Sequence, residues 1–263
     1  MRPQIQLLTL SLCAALVGCS SSPTGRNQLT LFSDQDMSNL GAQSFEEMKK
    51  EIPQSKDKAV INYVQCVTDT ITAHVPKQSA FDEWEVVVFE SDQVNAFALP
   101  GGKIGVYTGL LNVAVNQDQL ATVIGHEIAH VLADHSNERL SQSQLASTGL
   151  QITSVALGAS DYAEYRDMTM AALGVGVQYG VILPYGRTQE SEADIIGLQL
   201  MSKAGFNPRE SVSLWMNMAK ASNGQQPPEL LSTHPSHSTR ISDLEQEMTV
   251  LPNSDESRPN CKA

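Results

Sequence analysis

Positive charge is scarce in this sequence, because 29 aspartates and glutamates outnumber 17 lysines and arginines. The formal net charge of −12 argues against a nucleic-acid-binding protein, which would need a basic surface. Internal repeats are absent, and so are low-complexity segments beyond a short stretch near the N-terminus. The hydrophobic and charged fractions, 41% and 17%, favour neither disorder nor a coiled coil. A chain of 263 residues is long enough to bury one large hydrophobic core.

Long hydrophobic runs are missing after residue 18, so the sequence predicts no transmembrane helix in that part. Before that point, Arg2 is followed by a short apolar stretch over residues 5–17. A positive residue followed by an apolar stretch of this length is typical of a secretory signal.

The end of the apolar stretch, Leu16-Val17-Gly18-Cys19, resembles the site at which bacterial lipoproteins are lipidated on cysteine. Ser20 follows, and it resembles the signal that sorts lipoproteins to the outer membrane. We therefore predict a lipoprotein-type signal peptide over residues 1–18, lipidation of Cys19 and a lipidated tether over residues 19–32. The alternative is an ordinary cleaved signal with an incidental cysteine.

Cysteine is rare as well, with four residues in the chain. Cys13 leaves with the predicted signal, and Cys19 would carry the lipid. Cys66 and Cys261 remain, and two cysteines in an oxidising compartment most simply form a disulfide. Two unpaired thiols are the alternative.

Hydrophobic periodicity predicts an α+β fold that is mainly helical and has one small β-sheet. We expect a domain over residues 33–250 and a polar C-terminal tail over 251–263. The expected order begins with helical segments over 33–75, the first capped by Ser33 and Asp34. Strands follow in WEVVVFES and AFALPGGKIGVYTG, and Asn116 then opens a helix. After it we expect helical segments around a mobile connection over 140–186, a helix over about 188–203, another after Pro208, and a short last helix.

The most informative motif is His126-Glu127-Ile128-Ala129-His130, which lies within an apolar helix. Histidines four residues apart lie on one face of a helix, one turn apart, as two ligands of one metal ion require. Glu127 then lies beside the metal without binding it, where it can act as a general base. Two surface histidines on an amphipathic helix are the alternative, which the apolar flanking residues disfavour.

The third ligand distinguishes two classes of zinc protein. One class continues the motif with Gly and His, but this chain has Ala133 and Ser136 there, and His135 comes one residue early. The other class takes a glutamate from a later helix, and GRTQESEAD offers Glu190 or Glu192. These two side chains point to different sides of a helix, so one of them can face the metal. A solvated acidic face is the alternative.

Taken together, these motifs resemble the M48 family of zinc metallopeptidases, in particular its secreted periplasmic lipoprotein branch. The resemblance covers about residues 30–250, and it is carried by NAFALPGGKIGVYTGLL, GHEIAHVLADH, RTQESEAD and THPSHSTRI. It implies that His126, His130 and Glu190 bind one Zn²⁺ per chain. It also implies that Glu127 is the catalytic base.

The same resemblance assigns roles to three further residues. Asp194 matches an acidic position of the family, one turn from Glu190, where it is placed to orient a ligand histidine or to pass a proton. His234 would approach the zinc, either as a resting-state ligand or as a hydrogen-bond donor to the oxyanion. A surface histidine in a proline turn is the alternative for His234. We expect Arg240 to anchor its segment by pairing with a carboxylate.

The sequence therefore predicts a zinc-dependent metalloendopeptidase of the bacterial cell envelope. Its expected substrates are unfolded or misfolded envelope proteins, bound in an extended form against an edge strand near residues 96–99. Its expected location is the periplasm, with a lipid anchor in the outer membrane, and the outer-membrane assembly machinery is a candidate partner. The alternative is a chaperone-like assembly factor with a silenced zinc site.

Overall fold

The structure is a computed structural model, and it describes residues 19–77, 81, 83–178, 182–222, 236–252 and 256–262. The predicted signal peptide over residues 1–18 lies outside the described residues, as does His234.

Helices dominate the described chain, as the sequence predicts. In chain order the elements are β1 (Cys19–Ser21), β2 (Asn27–Leu29), α1 (Asp34–Glu51), α2 (Lys58–Thr72), β3 (Glu85–Phe89), β4 (Ala96–Leu99), β5 (Lys103–Tyr107), a 3₁₀ turn (Thr108–Asn112), α3 (Gln117–Leu132), α4 (His135–Gly158), a second 3₁₀ turn (Ala163–Tyr165), α5 (Arg166–Val177), α6 (Leu183–Lys203), α7 (Glu210–Ala221) and α8 (His237–Met248). No helix among the described residues has both the length and the apolar character to cross a membrane.

The predicted small sheet is present, and its strands are ordered β3-β5-β4. Strand β3 pairs in parallel with β5, and β4 pairs antiparallel with β5. The tight turn between β4 and β5 needs glycine, because Gly101 and Gly102 have φ of 84° and 71°. The order leaves β4 at an edge of the sheet, as the sequence predicts for residues 96–99.

Helix α3 forms the centre of the hydrophobic core. Asn116 caps its first turn by accepting hydrogen bonds from the backbone N–H groups of Asp118 and Gln119. Leu120, Ile124 and Ile128 recur at four-residue intervals, and all three are fully buried. The helix that carries the metal motif is therefore held rigidly.

The residues expected to be helical over 33–75 form two helices, because Pro53 disfavours helical backbone at Ile52, which directly follows the last residue of α1. One helix begins at a different residue from the expected one. Helix α6 begins at Leu183, earlier than the expected 188, because Pro184 is accepted in the first turn of a helix.

The two chain ends are attached to the helical body. Residues 19–29 form an antiparallel hairpin of β1 and β2, which we call the N-terminal hairpin, within the segment expected to be a tether. At the other end, Cys261 forms the predicted disulfide with Cys66 of α2. The backbone N–H of Cys261 also donates to the side chain of Gln117 at 2.8 Å.

Candidate metal centre

Helices α3 and α6 cross closely at the metal motif because each has a glycine at the crossing. A Cβ atom on Gly197 would lie 2.7 Å from the backbone nitrogen of His126, and one on Gly125 would lie 2.9 Å from the Gly197 carbonyl oxygen. Neither position leaves room for a side chain. The close approach brings Glu190, on α6, to the same level as His126 and His130 on α3.

The donor atoms of His126, His130 and Glu190 form a compact triangle. His130 Nε2 lies 3.1 Å from His126 Nε2. Each oxygen of the Glu190 carboxylate approaches one of these nitrogens: Oε2 lies 3.4 Å from His126 Nε2, and Oε1 lies 3.4 Å from His130 Nε2. Ligands at the corners of a zinc tetrahedron stand about 3.3 to 3.6 Å apart, given ordinary zinc–nitrogen and zinc–oxygen distances, so the carboxylate contacts lie in this range and the two nitrogens are slightly closer. Two imidazoles and a carboxylate also form a ligand set of catalytic zinc. The residues present therefore fit a zinc ion.

The outer nitrogen of His126 is held by Asp194. His126 Nδ1 lies 2.9 Å from Asp194 Oδ1, and Arg240 donates from Nε to the other oxygen of the same carboxylate at 2.8 Å. The Arg240 guanidinium lies 3.7 Å from the centre of the Trp215 ring, which fixes its plane. Arg240 thus pairs with a carboxylate, as the sequence predicts.

The Asp194 carboxylate decides how His126 is oriented. A carboxylate only accepts, so His126 donates from Nδ1 to Asp194 Oδ1 and directs Nε2 towards Glu190. Arg240 Nη2 lies 3.1 Å from the same Nδ1, but a guanidinium only donates, so this is a close contact rather than a hydrogen bond. Burial and Arg240 act to lower the pKa of His126, but Asp194 and Glu190 outweigh them and raise it to about 9. Metal binding would release the proton that Nε2 carries in the doubly protonated ring.

The outer nitrogen of His130 contacts another histidine. His130 Nδ1 lies 2.8 Å from His135 Nδ1, and His135 Nε2 lies 3.1 Å from Glu192 Oε2. Burial, together with the charge of His130, lowers the pKa of His135 to about 4. Burial would raise the pKa of Glu192, but hydrogen bonds from Ser22, Thr24, His135 and Arg26 lower it to about 2.

Glu127 lies next to the ligands and is partly accessible to solvent, unlike the buried ligands. Its negative charge acts on His130 and raises the pKa of that imidazole, against the dominant effect of burial. The role of Glu127 as a base stays a prediction, as do the metal-ligand roles. The prediction for His234 falls outside the described residues.

Two residues of this region were not predicted from the sequence. His135 enters the prediction only through its spacing, which excludes one class of zinc protein, and Arg26 is not predicted to have a role. The available signal for His135 is that it is a third histidine, one residue past the turn that ends α3. Arg26 carries no such signal, because it contacts residues more than 100 positions away in the chain.

Known proteins resemble this chain over most of its length. The profile of peptidase family M48 matches residues 56–248. Metalloendopeptidase OMA1, mitochondrial, of Bos taurus is 33% identical over 260 residues, which cover 92% of this chain and 47% of that protein. Mitochondrial metalloendopeptidase OMA1 of Saccharomyces cerevisiae is 38% identical over 170 residues, covering 62% and 46%. Beta-barrel assembly-enhancing protease of Escherichia coli is 29% identical over 219 residues, covering 81% and 44%.

The chain spans roughly half the length of these curated relatives. The family profile covers more than two thirds of the chain, and its range includes both halves of the donor triangle on α3 and α6. This chain therefore belongs to peptidase family M48.

Proposed function

We propose that this chain is a zinc-dependent endopeptidase in which His126, His130 and Glu190 bind one Zn²⁺. The observation that carries the proposal is the donor triangle: one donor atom from each side chain lies within 4.8 Å of the others, and the closest contacts, 3.1 to 3.4 Å, are near the ligand spacing of tetrahedral zinc. All three side chains are buried, so their donor atoms are held together in one place within the protein.

The residues around the triangle have different roles in peptide-bond hydrolysis. A bound zinc ion would polarise water and the carbonyl oxygen of the scissile bond. Glu127 accepts a proton from the attacking water and returns it to the nitrogen of the leaving amine. Asp194 holds the ring of His126 in the orientation that directs Nε2 to the metal. Glu127 is suited to its part because it is more accessible than the ligands.

Extended polypeptide is the substrate form that the sheet favours. Strand β4 is an edge strand, and no other described strand pairs with its outer side. A cleft beside it is lined by Pro100 and Gly101 of the β4–β5 turn and by His130 and Val131 of α3. Backbone pairing to an edge strand selects an extended chain without reading its side chains. Unfolded or misassembled proteins offer such segments.

We place this activity in the bacterial cell envelope, with the chain anchored through lipid on Cys19. The N-terminal sequence supports the anchor, and the similarity to a relative named beta-barrel assembly-enhancing protease supports outer-membrane proteins, or their assembly machinery, as partners. Substituting Cys19→Ala should move the protein from the membrane fraction to the soluble fraction of a bacterial host. An unchanged distribution would contradict the anchor.

Casein cleavage by the purified protein tests the proposed activity. We expect cleavage that a chelator abolishes and that added zinc restores. The variant Glu127→Gln should keep bound zinc and lose activity by about 100- to 10,000-fold, which is the usual contribution of a general base. Binding of unfolded protein without cleavage, in zinc-loaded wild-type protein, would contradict the proposal and favour a chaperone-like function.

A further inference from the structure

Several buried polar side chains lie behind His130, on the side away from the donor triangle. His135 and Glu138 are fully buried, and Glu192 is 4% exposed. Arg26 of the N-terminal hairpin joins the two carboxylates. Burying charged groups is costly unless each has a partner, so a set like this one indicates a specific arrangement rather than chance. We call His135, Glu192, Arg26 and Glu138 the outer network.

Hydrogen-bond direction follows from Glu192. A carboxylate only accepts, so His135 donates from Nε2 to Glu192 Oε2 at 3.1 Å. Nδ1 of the neutral His135 ring is then an acceptor, and His130 donates to it from Nδ1 at 2.8 Å. Each step leaves one arrangement of protons, and that arrangement keeps the metal-facing nitrogen of His130 unprotonated.

The far end of the network belongs to the N-terminal hairpin. Arg26 donates from Nε to Glu192 at 2.8 Å and from both Nη atoms to Glu138 at 2.7 Å. Thr24 donates a further hydrogen bond to the other oxygen of Glu192. Glu192 is thereby held between the hairpin and His135. The hairpin is the part of the described chain that supplies the cation of this network.

We propose that His135, Glu192 and Arg26 are positioning residues for His130, and that the N-terminal hairpin is a structural part of the metal centre. The proposal rests on the metal site of the proposed function. Partners behind a ligand histidine fix its ring and its tautomer, and their loss typically weakens metal affinity by about 10- to 100-fold. Here the partner of the ligand His130 is a second histidine, His135, and the carboxylate of Glu192 acts on His130 through the His135 ring.

Two substitutions of His135 separate hydrogen bonding from packing. His135→Leu has a similar volume but accepts no hydrogen bond, and it should weaken zinc binding by about 10- to 100-fold. His135→Gln keeps an acceptor for His130 and a donor for Glu192, and its affinity should stay within about threefold of wild type. Zinc affinity is measured by competition with a chromogenic chelator, and the absorption spectrum of the cobalt-loaded protein reports ligand geometry.

Arg26→Gln tests the contribution of the hairpin. We expect weaker zinc binding than in wild type, by about tenfold, because Glu192 loses the cation that holds it. Arg166→Gln is the matched control, since Arg166 pairs with Asp167 at the surface, where the two side chains are 47% and 91% exposed. His74→Leu is the control for the histidine substitutions, and its zinc affinity should equal that of wild type.

Circular dichroism and thermal unfolding in chelator show whether each variant is folded. If His135→Leu does not fold, the zinc affinities of Glu192→Gln and Arg26→Gln, compared with wild type, test whether the outer network supports His130. Equal zinc affinity and an unchanged cobalt spectrum in His135→Leu would overturn the proposal, as would an equal loss in His135→Gln and His135→Leu. Failure of wild type to bind zinc would instead contradict the proposed function, so the two failures are distinguishable.

Discussion

The two histidines proposed as metal ligands are supported in different ways. His126 donates directly to a carboxylate, Asp194, whose other oxygen accepts from Arg240 of the C-terminal helix α8. His130 donates to His135, and only beyond that ring does a carboxylate follow, held by Arg26 of the N-terminal hairpin. We call the contacts on the outer side of each histidine its flank, and both flanks end on an arginine. The His126 flank reaches its carboxylate by direct contact, whereas the His130 flank is a relay that reaches its carboxylate through a second imidazole.

This difference predicts unequal sensitivity on the two flanks. A carboxylate in direct contact with a ligand raises the basicity of that ligand and fixes its ring. A carboxylate that reaches the ligand only through a second ring has these effects only to the extent that the second ring fixes the orientation of the ligand. We therefore expect the His126 flank to depend strongly on its acidic residue, and the His130 flank to depend more on His135 than on Glu192.

The largest effect should come from the two glutamates of α6. Glu190→Gln removes a ligand and leaves two histidines, so it should lose most bound zinc and most activity. Glu192→Gln changes only the end of the relay, and we expect a loss in zinc affinity of about tenfold or less. Elemental analysis of both purified variants measures the difference. An empty Glu192→Gln protein beside a zinc-loaded Glu190→Gln protein would reverse the ligand assignment.

A smaller effect should follow from Asp194→Asn on the His126 flank. The amide is a weaker acceptor for His126 Nδ1–H, and Arg240 loses its charged partner in a buried site. Zinc affinity should fall by about 10- to 100-fold, and more than it does in Glu192→Gln. Chelator competition on the two variants tests the comparison. A greater loss in Glu192→Gln would mean that the relayed flank dominates.

Gly197→Ala should disturb both flanks together, because it separates the two helices that carry them. The added Cβ would lie 2.7 Å from the backbone nitrogen of His126, so α3 and α6 must move apart. Overpacking of this kind typically costs about 1–3 kcal/mol of stability. Thermal unfolding and zinc titration measure the effect. Gly149→Ala is the control, since its Cβ meets nothing within 4 Å and alanine favours the helix.

The smallest effect concerns Asp134, in the turn that delivers His135 to His130. Burial, with a contribution from the charge of Asp34, raises the pKa of Asp134 from 3.8 to about 6. Ionisation is therefore less favourable in the folded protein, and stability falls as the pH rises from about 4 to 6. Asp134→Asn removes this cost, and asparagine tolerates the left-handed φ of 50° at this position.

We expect Asp134→Asn to be more stable than wild type at pH 7.5, and the difference to vanish near pH 4. The gain should stay below about 1 kcal/mol, because the burial of Asp134 is only partial and water screens its charge. Thermal unfolding at the two pH values measures it. A constant difference at both pH values would point to backbone conformation rather than charge.

Local spacing made two of the three side chains of the donor triangle predictable. Histidines at 126 and 130 must share a helix face, whatever the rest of the fold does, because four residues are close to one turn. The choice of Glu190 over Glu192 needed the resemblance to a family, since helical geometry only shows that the two side chains diverge. Helix boundaries at Ile52 and Leu183 were harder, because proline both ends and begins helices.

The outer network could not be predicted in this way. Arg26 lies 112 residues from Glu138 and 166 from Glu192, and no periodicity relates positions so far apart. His135 reaches His130 because the chain turns sharply at Asp134, whose left-handed backbone is not specified by an aspartate alone.

The sequence by itself predicted the chemical class of this protein: the spacing of two histidines in an apolar helix, with a glutamate in a later helix, predicts a metal site. Only the tertiary structure decided how that site is supported, by crossing α3 and α6 at two glycines and by placing the N-terminal hairpin behind His130. The reason is physical. Ligand spacing is a property of one helix, whereas the partners of each ligand depend on which distant segments the hydrophobic core brings together.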